Sequence, residues 1–387
     1  MTQSINKILL FSLSLFSLTG LLRAQEQLQQ PLAFIPADSV VVWGGDYGDI
    51  RGMALLVDPS LTERPVKVNA SAFADELAAW QKDWLPTMTV TGAGGYDART
   101  SCAVRNSQMV GTAASLFLQT GHADFMEAIE RALFNDLLHE TTSPGQLSFD
   151  KRLAAQTLVN GTGMIYAISG NDVWVNLFVN NTCHIRTPNY NLIIDQITTM
   201  PFNGTVKVRV SGIPRGGYPL RIHLRLPHWA SAQGFPSDRY SLSGGVRQQR
   251  PTVYVNGRDP LKISYENGYA VVDREWNRGD EILVNFPLEV QYVHRKAAAG
   301  SQPSTDVAIQ SGPLLYVVPD SCERGLLSPT IPLREDYDGM GLRFYSGTYG
   351  TTNYLTGSPV TFSALPYLRS DGRIWLPMSG QSATAKP

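Results

Sequence analysis

The chain has 387 residues, 43% of them hydrophobic, and a formal charge of −1. That is enough apolar material for more than one core, with no basic stripe to hold nucleic acid. Three cysteines, Cys102, Cys183 and Cys322, stand too far apart in sequence for a local C-x-x-C metal site.

Residues 1–24 read as a signal peptide. Lys7 precedes an apolar run, Ile8–Leu22, that is too short to span a bilayer, and Leu22-Arg23-Ala24 resembles a cleavage site. Its removal takes away Lys7 and Arg23 and no acid, so the charge of −1 becomes about −3. A periplasmic or secreted protein is expected, with no membrane span in the remainder of the chain.

Residues 25–71 are expected to be a linker and a short extended segment, with "GGDYGD" as a turn cluster. A helical region, 72–170, follows. Ala72–Leu85 places Phe73, Leu77, Trp80 and Trp84 at helical spacing and stops at Pro86. Ser101–Thr120 aligns Met109, Val110, Ala113, Ala114 and Phe117 and ends at Gly121, and His122–Leu138 aligns Phe125, Ile129, Leu133 and Leu137. Residues 149–168 form a fourth expected helix, weakened by Gly161 and Gly163. From about Asp172 the period falls to two, and segments such as "VWVNLFV", "TVKVRV", "LRIHLRL" and "EILVNF" predict an antiparallel sandwich or jelly roll over 171–380.

Several of these segments are familiar. "LQTGHADFMEAIERALFNDLL" (118–138), "LRLPHWA" (224–230), "GYAVVDREWNRGDEILVNFPLEV" (268–290) and "VAIQSGPLLYVV" (307–318) resemble glycoside hydrolase family 127. "MTVTGAGG" (88–95) and "ALPYLRSDGRIWLP" (364–377) resemble that family's glycine-rich stretch and C-terminal strand. The resemblance implies a β-L-arabinofuranosidase-like protein of α+β multidomain class: the C-terminal half of an (α/α)6 toroid followed by an antiparallel β-sandwich. The toroid's earlier helices find no counterpart between the signal peptide and Ala72.

The resemblance also implies a zinc centre of one glutamate and three cysteines, one thiolate being the nucleophile. The Glu-x-Cys ligand pattern reads here Thr100-Ser101-Cys102, so Cys102 is a remnant metal-ligand position and the glutamate is replaced. Counting back from Tyr166 places the family's cysteine pair at Phe149 and Asp150. The segment that carries the family's acid/base glutamate is missing, with Asp97 nearby. No cofactor is therefore expected, since the zinc site is not preserved.

Alternatives stay open at each position. Cys102 is either a stranded ligand or a small core residue at a helix start. Asp150 with Asp97 is a replacement catalytic carboxylate pair, or Asp150 is an N-cap of the fourth helix. Glu127 and Glu130 read as surface charges, His223 and His228 as satisfied edge histidines, and Cys183 and Cys322 as unpaired rather than bridged. "NNT" (180–182) matches an acceptor sequon but carries little weight in a bacterial-looking exported chain. Trp229, Trp276 and Trp375 read as packing residues. Carbohydrate is the expected partner, with a homo-oligomer or another protein covering the exposed helical face. The rival functions are glycoside hydrolysis, non-catalytic binding of glycan or a partner, and a truncated inactive product.

Overall fold

The computed structural model describes residues 31–92, 102–142, 148–230, 237, 239–244, 250–258, 263–297, 304–338, 343–352 and 358–379. The expected signal peptide, Asp97 and Thr100 lie outside the described residues. Among the described residues six α-helices precede a β-rich half: α1 Gly45–Val57, α2 Phe73–Ala79, α3 Cys102–Thr120, α4 Ala123–Ala132, α5 Leu138–Thr142 and α6 Phe149–Gly163. A wide π-type turn, Leu133–Leu137, joins α4 to α5.

Val40–Val42 is a strand, in keeping with the short extended segment expected within 25–71, but α1 replaces the "GGDYGD" turn cluster and the run after it. The Gly44-Gly45 pair, at φ of 65° and 72°, turns the chain in, and Tyr47, Ile50 and Ala54 then bury one helical face. In α3 the predicted stripe is buried, and Gly121 closes the helix with its N–H on the Phe117 carbonyl at 2.7 Å. The fourth helix ends at Gly163 rather than 168, because Tyr166–Ser169 joins a sheet. Gly161 costs helix propensity, but a Cβ there would lie 2.9 Å from the Tyr47 hydroxyl, so the small residue lets α1 dock.

Two six-stranded sheets pack face to face. The first runs Ala33–Phe34, Tyr166–Ser169, Asp172–Val175, Tyr218–Arg225, Tyr269–Trp276, Ser264–Glu266. Its neighbours are antiparallel except Asp172–Val175 against Tyr218–Arg225. The second runs Thr252–Val255, Glu281–Asn285, Thr205–Ser211, Asn191–Thr198, Asn181–Arg186, Val40–Val42. Val206, Val208 and Val210 point inward and alternate with half-buried or exposed residues, as period-two patterning requires. Buried polar groups tie the two sheets, with Tyr166 Oη donating to Asn181 Oδ1 at 2.9 Å and accepting from Gln196 Nε2 at 2.9 Å.

A third sheet runs Arg334–Tyr337, Arg343–Thr352, Pro359–Pro366, Leu314–Val317, Asp306–Ser311, Val290–Arg295, Tyr240–Gly244, with Leu376–Pro377 beside Asp306–Ser311. One continuous apolar core joins all three sheets to the helical layer. Among the described residues no helix is long and apolar enough to cross a membrane.

Candidate functional site

Every residue of α4 is buried, which overturns the surface reading of Glu127 and Glu130; each is 1% exposed. Their partner comes from the strand Tyr218–Arg225. The Arg225 guanidinium, itself fully buried, donates from Nη1 to Glu127 Oε2 at 2.9 Å, from Nη2 to Glu130, and from Nε to the Asn176 carbonyl at 2.6 Å. Trp229 Nε1 donates to the second Glu130 oxygen at 2.9 Å, and the His228 backbone N–H to Glu127 at 3.1 Å. Burial pushes the Glu130 carboxyl above its ordinary range, Arg225 opposing it. Two carboxylates, one guanidinium and two neutral donors close a satisfied network. Its chemistry is that of a latch between the helical layer and the sandwich.

His228 is bonded to Asp124 (Nε2 to Oδ1, 2.8 Å) and His223 to Asp172 (2.7 Å), so both histidines have partners, as expected. Trp229 and Trp276 are buried and Trp375 is half-buried. All three cysteines are unpaired, Cys183 buried and Cys322 half-buried.

The Cys102 position lies at the start of α3. Gly92, at φ of 104°, carries the glycine-rich stretch past α4, where a Cβ would meet the Ala132 backbone nitrogen at 2.8 Å. Cys102 opens α3 with solvent at its thiol. The protein packed about it and the negative charges of Asp136, Glu140 and Asp150 push that thiol up to about 12, Arg105 opposing them. The structure thus brings Asp150 within electrostatic reach of Cys102. It corrects the cap: Ser148 caps α6, its hydroxyl accepting from the Lys151 N–H at 3.2 Å, while Asp150 sits inside the first turn. Phe149 is 72% exposed.

Asp136, His139 and Glu140 were not singled out from the sequence, although their i, i+3, i+4 spacing puts them on one face of the wide turn and α5. Asp136 accepts from Thr91 Oγ1 at 2.8 Å and Asn106 Nδ2 at 3.2 Å. The short turn Tyr367–Arg369 reaches over from the third sheet. Its Tyr367 ring stacks on His139 at 4.2 Å, Asp371 pairs with the same imidazole at 3.2 Å, and Arg369 pairs with Asp46 of α1. Burial, then the charges of Asp136 and Cys102, hold the Tyr367 phenol far above its ordinary range. No sequence signal marks Tyr367 as part of this cluster. Among the described residues no group of three histidines, cysteines and acids is arranged to hold a metal ion.

The comparisons with known proteins accord with this architecture. The "Beta-L-arabinofuranosidase, GH127 middle domain" family matches residues 172–288, which spans most of the two packed sheets. Among solved structures, the fold is similar to a GH127 β-arabinofuranosidase (TM-score 0.65, 20% identity, covering 92% of this chain and 61% of that one). It is similar also to a protein titled glycoside hydrolase (0.63, 18%, 89% and 68%). A GH127 β-L-arabinofuranosidase from Geobacillus stearothermophilus T6 gives 0.59, with 19% identity and 92% and 62% coverage. The chain therefore spans about six-tenths of the length of the GH127 structures it matches. No curated protein sequence matches it. The helical layer and the antiparallel sheets together give a mixed α+β fold similar to those of the GH127 structures. The family it resembles is glycoside hydrolase family 127, whose middle-domain model matches residues 172–288.

Proposed function

We propose that this chain is a carbohydrate-active protein of β-L-arabinofuranosidase ancestry that no longer has the zinc–thiolate centre and engages glycan without hydrolysing it. Its helical layer is a remnant of the toroid, and the signal at residues 1–24 sends it to the periplasm or outside the cell. The observation that carries the proposal is the start of α6. Where the resemblance calls for two thiolates, Phe149 points into solvent at 72% exposure and Asp150 sits in the first turn. Cys102 and the scattered carboxylates about it do not fit a zinc ion, which takes three or four good protein ligands, and among the described residues they form no such group. Loss of a nucleophile together with its metal removes a catalytic unit, at a cost of several orders of magnitude in rate.

A second reading is favoured by one feature. Asp150 lies close enough to Cys102 to act on its thiol, so a carboxylate stands where the nucleophile's neighbourhood would be, and Asp97 would be its partner in a carboxylate mechanism. Aryl β-L-arabinofuranoside turnover separates the two. The proposal expects no rate above a buffer control. Turnover that survives Cys102→Ala and is abolished by Asp150→Ala would establish the carboxylate mechanism instead. Silence in both the turnover and the glycan-binding assays would mark an inactive product.

A further inference from the structure

A second feature lies on the third sheet. The strands Tyr240–Gly244 and Val290–Arg295 pair antiparallel with Arg295 opposite Tyr240. Trp375 stacks on Tyr240, the ring centroids 6.1 Å apart and the planes 20° apart. The Arg295 guanidinium lies over the Trp375 ring at 3.8 Å, and that of Arg239 lies 5.8 Å from the centre of the Tyr240 ring. Four side chains thus form one ladder: Arg239, Tyr240, Trp375, Arg295. Lys296 adjoins it, its backbone N–H donating to the Arg239 carbonyl at 2.8 Å. Tyr240 is buried and Trp375 half-buried, whereas Arg239, Arg295 and Lys296 are exposed.

The ladder has no work to do in the fold that explains three exposed cations. A guanidinium stacked on an indole keeps its N–H donors in its own plane, where they match a carboxylate in bidentate fashion. The stacking also holds the long side chain in place, so less freedom is lost on binding. Arg239 commits only Nη1, to the Thr87 and Met88 carbonyls at 3.1 and 3.5 Å. Among the described residues none of the three cations is in an ion pair. Asp306, one step beyond the His294–Val307 pair on the adjoining strand, forms none with Arg295. In a chain of net charge −1, three neighbouring cations with no ion pair among the described residues form a local anion-attracting field.

We propose that the Arg239–Tyr240–Trp375–Arg295 ladder binds the carboxylate of an acidic sugar, a uronic acid residue within a polysaccharide. Arg295 grips the carboxylate, Arg239 and Lys296 supply the field, and the aromatic edges pack against the sugar ring. The assignment rests on the carbohydrate reading above.

Calorimetry on the full chain tests it with three probes: an oligogalacturonide, the same oligomer methyl-esterified, and a neutral arabino-oligosaccharide. The acid oligomer is expected to bind at least about tenfold more tightly than its ester, since the ester cannot accept charge-assisted bonds. Arg295→Ala is expected to remove about tenfold or more of that affinity. Arg295→Lys is expected to restore only part of it, because the charge returns without the fork. Raising salt from about 50 to about 300 mM weakens the interaction of an exposed site. Equal affinity for acid and ester overturns the proposal, as does acid binding untouched by both Arg295→Ala and Trp375→Ala. If the neutral oligosaccharide binds and the acid does not, this site falls and the carbohydrate reading stands. If no probe binds, both fall. Arg295 is exposed, so its variants fold.

Discussion

Arg225 and Glu127, 98 residues apart in sequence, meet at 2.9 Å with no solvent at the guanidinium. This contact joins two segments that resemble the family, "LRLPHWA" and "HADFMEAIERALFNDLL". The sequence reads the charges of the second as surface groups and Trp229 of the first as a packing residue, and together the two segments form a structural latch. Arg225→Met is expected to lower the unfolding free energy by about 3–5 kcal/mol, because it strands two buried carboxylates. Replacing Arg225, Glu127 and Glu130 together by apolar residues should recover part of that loss. Full recovery is not expected, since the Trp229 and His228 N–H groups lose their acceptors. Denaturant midpoints of the single and triple variants check the order.

The His228–Asp124 pair gives stability a defined pH dependence. Burial disfavours the imidazolium, but the hydrogen bond to Asp124 and the charges of Asp124 and Glu127, against Arg225, hold His228 above 6.5. Burial likewise opposes the Asp124 carboxylate, and His228 and His122 hold it below 3.8. The His228 contribution is present below about pH 6.5 and is lost as pH rises through the raised value. The Asp124 contribution is present above about pH 4 and is lost as pH falls through the lowered one. Unfolding free energy should therefore decline above pH 6.5, and His228→Gln should flatten that decline. An identical slope in the two proteins would remove His228 as its source.

How far the sequence reached depended on whether the signal was local. Alternation along Thr205–Ser211 marked a strand because that strand has one inward face, whereas Tyr218–Arg225 alternates in sequence yet buries His223 and Arg225 on its other face as well. Glu127 and Glu130 read as surface charges because the resemblance places their helix on the outside, whereas α4 is buried along its whole length. Arg225, on a strand far along the chain, with Trp229 and the His228 N–H beside it, makes their burial tolerable. Helix α1 was missed because Gly44, Gly45 and Gly48 mimic a turn, and its entry needs two of them at positive φ. Cys102 was found as a motif position, and its surroundings were half visible. Asp136, His139 and Glu140 share a helical spacing, whereas Tyr367 arrives by tertiary contact alone.

Zinc content is a direct measure of the centre at Cys102. After dialysis the purified protein is expected to hold less than about one-tenth of an equivalent, because a thiol and scattered carboxylates compete poorly with water and buffer. Near-stoichiometric zinc that falls on Cys102→Ala would show that the position still ligates metal, with donors other than Phe149.

The outer face of α1 makes the last prediction. Met53, Leu56 and Val57 are 54%, 83% and 67% exposed, and Val41 and Trp43, just before the helix, are 56% and 42% exposed. Tyr47, Ile50 and Ala54 already fill the inner face, so the outer residues contribute little to the fold. Apolar side chains gathered on one exposed helix commonly mark an association surface. The protein is expected to bind a hydrophobic dye and to elute from a sizing column as an assembly whose size falls on dilution. Leu56→Glu with Val57→Glu should suppress both, since charges in an apolar contact must be desolvated. The same change should leave the monomer's unfolding free energy within about 0.5 kcal/mol, as exposed substitutions do. A double variant that still associates would move the contact elsewhere. One that unfolds would mean that the outer face of α1 packs against the protein itself.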